Sequence, residues 1–231
     1  MIYENFKDSN KELVASLSAH IAAQLKTSRA LFVSGGSTPV ALFQSLSLHR
    51  DIPWHDITVC AVDERWLPMS DKDSNAKLIH EHLLVNVAAS ARFFDLYDPN
   101  STPEQAARLK DREVSDLLSR QPVIILGMGE DSHTASIFPN LANTAAVLDF
   151  SRSDMLAVMR PESAPYTRIT LSAAAIARAS HLYLHIQGQK KRDVYNQARV
   201  FAQNNSNDFC ANPIAAFIAA PQLELHVFSS R

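Results

Sequence analysis

Short apolar runs alternate with segments of helical period along the 231 residues of this chain, and no other feature restricts its fold as much. Residues 30–34, 57–62, 122–126 and 181–186 read as buried strands, 155–158 as a weaker one and 223–228 as a terminal one. Helical spacing marks 10–26, where Leu13, Leu17, Ile21 and Leu25 recur. It also marks a helix opened by Pro39 that carries Val40, Leu42, Phe43 and Leu46. Further helices are predicted over 75–87, 103–119, near 172–178, over 189–203 and over 213–219. Thr102, Pro103 and Gln105 form a capping-box start for the second of these. Alternation of this kind predicts an α/β protein built on an open, mostly parallel, doubly wound (Rossmann-like) sheet with helices on both faces. No repeat or linker interrupts it, so a single domain over 1–231 is expected, with residues near 65–110 packing as a small lobe.

The glycines sharpen this picture. There are only five, well below the usual share of about 7%. All follow apolar runs: Gly35 and Gly36 after 30–33, Gly127 and Gly129 after 122–126, and Gly188 after 181–186. Ligands of open α/β proteins bind outside the carboxyl ends of the strands. Three strand-end loops are therefore expected to converge on one site.

Composition removes several function classes. A net charge of −2 offers no basic footprint for nucleic acid. No apolar run approaches the roughly 20 residues of a membrane span, and the N-terminal residues lack the apolar stretch of a secretory signal. Two cysteines, Cys60 and Cys210, make no disulfide framework, so a cytoplasmic protein is expected. Only His80-Glu81-His82 cluster among the histidines, and residues two apart on a helix do not share a face; no metal is expected.

Five segments carry candidate chemistry. Ser34-Gly35-Gly36-Ser37-Thr38 lies between a strand and a helix start, and fits either a capped tight turn or an anion seat of free N–H groups and hydroxyls. It lacks the Gly-Lys-Ser/Thr of a Walker A loop. Asp63-Glu64-Arg65 places two carboxylates and a guanidinium at a strand end, as a solvated cluster or as part of the crevice. Leu126 to Pro139 contains Gly127-x-Gly129-x-x-Ser132, a dinucleotide fingerprint without its third glycine. Within it His133 suits a general base, which Asp131 can orient if the turn folds back; the bland alternative is a histidine bonded to nearby backbone. Finally, Arg168 precedes a short helix, and Lys191 lies in the first turn of another. A cation is unfavourable there unless an anion compensates it.

Taken in order, Ser-Gly-Gly-Ser-Thr-Pro (34–39), Asp-Glu-Arg-Trp-Leu-Pro (63–68), Asp73-Ser74-Asn75, Leu-Gly-Met-Gly-Glu-Asp-Ser-His-Thr-Ala-Ser-Ile-Phe-Pro (126–139), Arg168-Ile169-Thr170 and Gly188-x-x-Lys191 resemble the glucosamine-6-phosphate isomerase/6-phosphogluconolactonase family. The His-Thr-Ala-Ser-Ile-Phe-Pro stretch resembles its lactonases; the deaminases are expected to read His-Ile-Ala-Phe-Asn-Glu-Pro and to lack Arg65. The resemblance spans nearly the whole chain. It implies hydrolysis of 6-phosphoglucono-1,5-lactone in the oxidative pentose phosphate pathway, with no cofactor and a sugar-phosphate lactone as partner. By motif, His133 matches the general base, and Asp63 and Arg65 the acid and arginine beside the reacting end. Gly35, Gly36, Ser37, Thr38, Arg168 and Lys191 match the phosphate-holding positions. Either Asp131 or Asp63 is left to support His133. A monomer or weak homo-oligomer is expected. The rival readings are a glucosamine-6-phosphate deaminase and a non-catalytic sugar-phosphate sensor. One residue departs from the family pattern: Ser132 stands where glycine is usual, at a strain of about 1–2 kcal/mol if φ is positive there.

Overall fold

The structure, a computed structural model, describes residues 1–162, 164–204 and 208–231. Ten strands and eight α-helices occur among them. The strands are β1 (Ile2–Lys7), β2 (Ala30–Val33), β3 (Thr58–Ala61), β4 (Asp63–Arg65), β5 (Arg92–Phe94), β6 (Val123–Leu126), β7 (Leu156–Met159), β8 (Arg168–Leu171), β9 (His181–Gln187) and β10 (Leu225–Ser230). The helices are α1 (Asn10–Leu25), α2 (Val40–Leu46), α3 (Asn75–His82), α4 (Pro103–Leu118), α5 (Thr144–Leu148), α6 (Ala173–Ile176), α7 (Gln189–Gln203) and α8 (Pro213–Ala219). No described helix is long and apolar enough to cross a membrane.

Seven strands form one wholly parallel sheet in the order β1-β10-β9-β6-β2-β3-β5. Every residue of β2, β3 and β6 is buried, which is why these strands read as unbroken apolar runs. From β2 the chain moves toward β3 and β5; from β6 it moves the other way, to β9 and β10. α1 packs on α2 and α7 on α8; right-handed crossovers, the rule for parallel strands, put pairs that travel in opposite directions on opposite faces. The order reverses between β2 and β6. Loops leaving those two strands in opposite senses open a crevice there.

A second sheet, absent from the sequence reading, has the antiparallel order β4-β8-β7. After β3 the chain leaves the main sheet: Val62 N–H still bonds to Val33 O, whereas Val62 O accepts from Leu171 N–H. Asp63 and Arg65 thus extend from the sheet core to the crevice edge. Arg168 precedes the short helix α6 as expected, and it also begins β8, directly opposite Arg65. The helix expected over 75–87 ends at His82, and a 3₁₀ turn follows at Asn86–Ser90, where Asn86 has φ +52°. Residues 92–94 pair with β3, so this part of the expected small lobe belongs to the main sheet.

Candidate active site

The β2 loop, the β6 loop and the start of α7 border a cleft of about 260 Å³ at the switch point. Its floor is held rigid by one hydroxyl. Ser34 Oγ donates to Ile125 O at 3.1 Å and accepts from Gly127 N–H at 2.8 Å, stapling the ends of β2 and β6 together. Thr134 Oγ1 adds a bond to Gly127 O at 2.8 Å.

Gly35 is required by close approach: a Cβ there would lie 1.9 Å from Asn75 Oδ1. Asn75 occupies that space because its side-chain amide donates to Asp63 O at 2.8 Å, tying α3 to β4. The same corner is fastened by Glu64, which is buried and does not line the cleft. Its carboxylate accepts from the N–H groups of Arg65, Asn75 and Ala76 at 2.6–2.8 Å, and so caps the α3 N-terminus. Burial pushes the Glu64 carboxyl up to about 7 against the pull of these donors. Of the two neighbouring acids, Glu64 therefore builds the site and Asp63 faces it. Asp63 is 7% exposed and accepts from Ser136 Oγ at 2.6 Å.

The β6 loop folds back on itself: Gly129 N–H bonds to His133 O at 2.9 Å, and Ser132 N–H to Gly129 O at 3.1 Å. This turn sets His133 Nδ1 2.5 Å from Asp131 Oδ1, which also accepts the His133 main-chain N–H at 3.2 Å. A carboxylate can only accept, so Nδ1 carries a ring proton in this contact. Burial raises the Asp131 pKa, but the bond and charge of His133 outweigh it and hold the carboxyl below the ordinary range. Phe138 stacks on the imidazole with centroids 4.6 Å apart. Asp131, not Asp63, is the acid in contact with His133.

In the same cleft Lys191 Nζ lies 3.3 Å from Thr38 Oγ1, with Ser37 and Gly36 also in the lining. Desolvation lowers its pKa, partly offset by Glu130. Arg65 borders the opening and donates to Asp73 O. Gly35, Gly36, Ser37, Thr38, Asp63, Arg65, His133 and Lys191 therefore share one cavity. Asp131 stands beside it, holding His133. Arg168 does not line it: its buried guanidinium donates to Pro165 O and Tyr166 O, and its pKa is lowered by desolvation and by Arg65. Gly188 is likewise outside the lining, its φ of +90° serving the turn into α7. No helix follows Gly127-x-Gly129 until α5, so the loop is not a dinucleotide turn.

The family described as glucosamine-6-phosphate isomerases/6-phosphogluconolactonase matches residues 7–226 of this sequence. The chain belongs to that family. Among similar members, a 6-phosphogluconolactonase of Pseudomonas aeruginosa is 39% identical over 94% of this chain and 91% of its own length. One from Rhizobium meliloti is 35% identical over 98% and 96%. The crystal structure of a 6-phosphogluconolactonase from Shewanella baltica superposes with a TM-score of 0.89 at 36% identity, covering 100% of this chain and 98% of the other. A monomeric glucosamine-6-phosphate deaminase superposes at 0.81 with 18% identity, a likeness of fold alone.

Against the family pattern, Ser132 does adopt the left-handed region, at φ +69°, and is buried with its carbonyl accepting from Ile214 N–H at 3.1 Å. The Gly129–His133 turn thus closes with serine in the left-handed position. Sequence reasoning passed over two lining residues. Asn75 could have been weighed from its place in Asp73-Ser74-Asn75. His185 had a signal too: a histidine inside the apolar run of β9, one strand over from Leu126.

Proposed function

We propose that this chain hydrolyses 6-phosphoglucono-1,5-lactone to 6-phosphogluconate, using His133 as general base and no cofactor. The observation that carries the reading is the Asp131–His133 pair at a cleft that His133 lines together with Lys191 and the hydroxyl-rich 35–38 loop. The substrate has the same two ends, an electrophilic carbonyl and a dianionic phosphate.

Neutral His133 takes a proton at Nε2 from a water that attacks C1. As the C1–O bond to water forms, the carbonyl electrons move to oxygen, and Arg65, which lines the same cleft as His133, stabilises that oxyanion. Asp131 holds the imidazolium through Nδ1–H. Collapse of the tetrahedral species breaks the bond from C1 to the ring oxygen, which receives the proton from Nε2. Lys191, Thr38, Ser37 and the loop N–H groups anchor the phosphate, so that binding energy remote from C1 positions the carbonyl. Arg168 acts at one remove, its charge set against Arg65 across the β4–β8 pair. The described free thiols, Cys60 and Cys210, accord with a reducing cytoplasm, and we propose one catalytic unit over 1–231.

Proton release in weak buffer after addition of fresh lactone, with the uncatalysed rate subtracted, tests the reading. A rate well above blank in the wild type, lost in His133→Ala, is expected; a wild-type rate equal to blank refutes it. Ammonia release from glucosamine 6-phosphate would instead mark a deaminase, a reading that Arg65 and Thr134-Ala135-Ser136 disfavour.

A further inference from the structure

β9 is apolar where it is buried, with one exception. Leu182, Leu184 and Ile186 lie on one face; Tyr183 and His185 lie on the other, the face that also carries Phe228 of the neighbouring strand. Tyr183 is sealed in the core beside Phe228. His185, one step nearer the carboxyl end of the strand, borders the cleft. It is 2% exposed, and neither Nδ1 nor Nε2 has a hydrogen-bond partner among the described residues.

An imidazole in that position is unfavourable for folding alone. Buried polar atoms are ordinarily paired, and leaving a donor and an acceptor unmet penalises the folded state. A leucine there would continue the apolar strand. Departures from a local rule of this kind concentrate at functional sites. Burial, and next the Lys191 ammonium, push the His185 pKa down to about 4, so at neutral pH the ring is uncharged and offers one N–H and one lone pair.

We propose that His185 is a further ligand-contacting residue of this cleft, an N–H donor that bonds an oxygen of the phosphate held by Lys191. This rests on the reading that the cleft takes a phosphorylated substrate. Lys191 supplies charge from a flexible stem; His185, fixed in the sheet, supplies direction. A phosphate presents several oxygens, so the 35–38 loop and Lys191 leave acceptor sites for a further donor lining the same cleft.

Inorganic phosphate is the probe, titrated into the whole chain and followed by calorimetry and by imidazole ¹H–¹⁵N spectra, with the His185 signals identified by their loss in His185→Leu. The His185 ring nitrogens are expected to shift with the same saturation as the calorimetric binding. His185→Leu should bind phosphate about tenfold more weakly, the loss for a hydrogen bond to a charged acceptor. Its KM for the lactone should rise more than its kcat falls. Either His185→Asn or His185→Gln should restore affinity, according to whether Nδ1 or Nε2 donates. Ring signals unmoved at saturating phosphate, phosphate affinity unchanged in His185→Leu, or a wild type that does not bind phosphate would each overturn the proposal. Failure of the lactonase reading is distinguishable: phosphate binding and the His185 shift would persist without lactone turnover.

Discussion

Gly129→Ala should separate activity from folding in this protein. The backbone at Gly129 lies outside the positive-φ region, so alanine can adopt it and the effect is one of space. A Cβ there would sit 2.2 Å from His133 Cε1, 2.3 Å from His133 Nδ1 and 2.6 Å from Asp131 Oδ1. Comfortable carbon contacts begin near about 3.5 Å, so the ring must retreat by more than about 1 Å. It has somewhere to go, since the side chains of His133 and Asp131 are 31% and 42% exposed. Outward movement breaks the 2.5 Å Nδ1–Oδ1 contact and the stacking on Phe138. Overpacking of this kind typically destabilises by about 1–3 kcal/mol, less where a flexible tip yields. Loss of a positioned general base lowers kcat by about 10²- to 10⁴-fold. Gly127→Ala is the control: its Cβ would meet Ser34 Cβ at an ordinary 3.6 Å, and both stability and kcat should stay near wild type. Thermal melts and proton-release assays on the two variants decide the matter. A folded Gly129→Ala enzyme with wild-type kcat would refute the claim that the Asp131–His133 geometry drives turnover.

Three further outcomes are expected. Asp131→Asn keeps the shape of the β6 loop but removes the charge facing the imidazolium, so kcat should fall about 10²-fold or more with KM little changed, as steady-state kinetics on the lactone would show. Ser132→Gly relieves about 1–2 kcal/mol of left-handed strain at φ +69° and adds about 0.5–1 kcal/mol of chain entropy cost, for a net stabilisation near 1 kcal/mol or less; a clear loss of stability in urea melts would show the serine to be a gain. His185 governs part of the acid response. Its folded pKa, about 4, lies below the ordinary 6.5, so the unfolded chain takes up a proton that the folded chain refuses between those values. Its contribution is complete above about pH 6.5 and is lost as the pH falls toward 4, a difference of about 3 kcal/mol. His185→Leu should therefore lose less stability than wild type over that range, and parallel curves would contradict the assignment.

Much of this protein was determined locally. Strands buried on both faces must be apolar throughout, so β2, β3, β6 and β9 were legible as runs, and the glycines after them marked the crevice. The His133–Asp131 contact spans two residues within one turn and was within reach of the sequence. By contrast, β1 and β8 mix polar with apolar residues, and β5 is only three residues long; such segments become strands only when a partner edge accepts their N–H and C=O groups. Tertiary structure alone decided which acid serves which neighbour. Ser136 takes Asp63 across 73 positions, and the α3 N-terminus takes Glu64 from 11 to 12 positions away, leaving Asp131 to His133. Arg168 turned to the Pro165 and Tyr166 carbonyls, and His185 borders the cleft because β6 stops one position short of it. Periodicity records how each segment meets the solvent; it holds no record of which distant segment fills the space beside it.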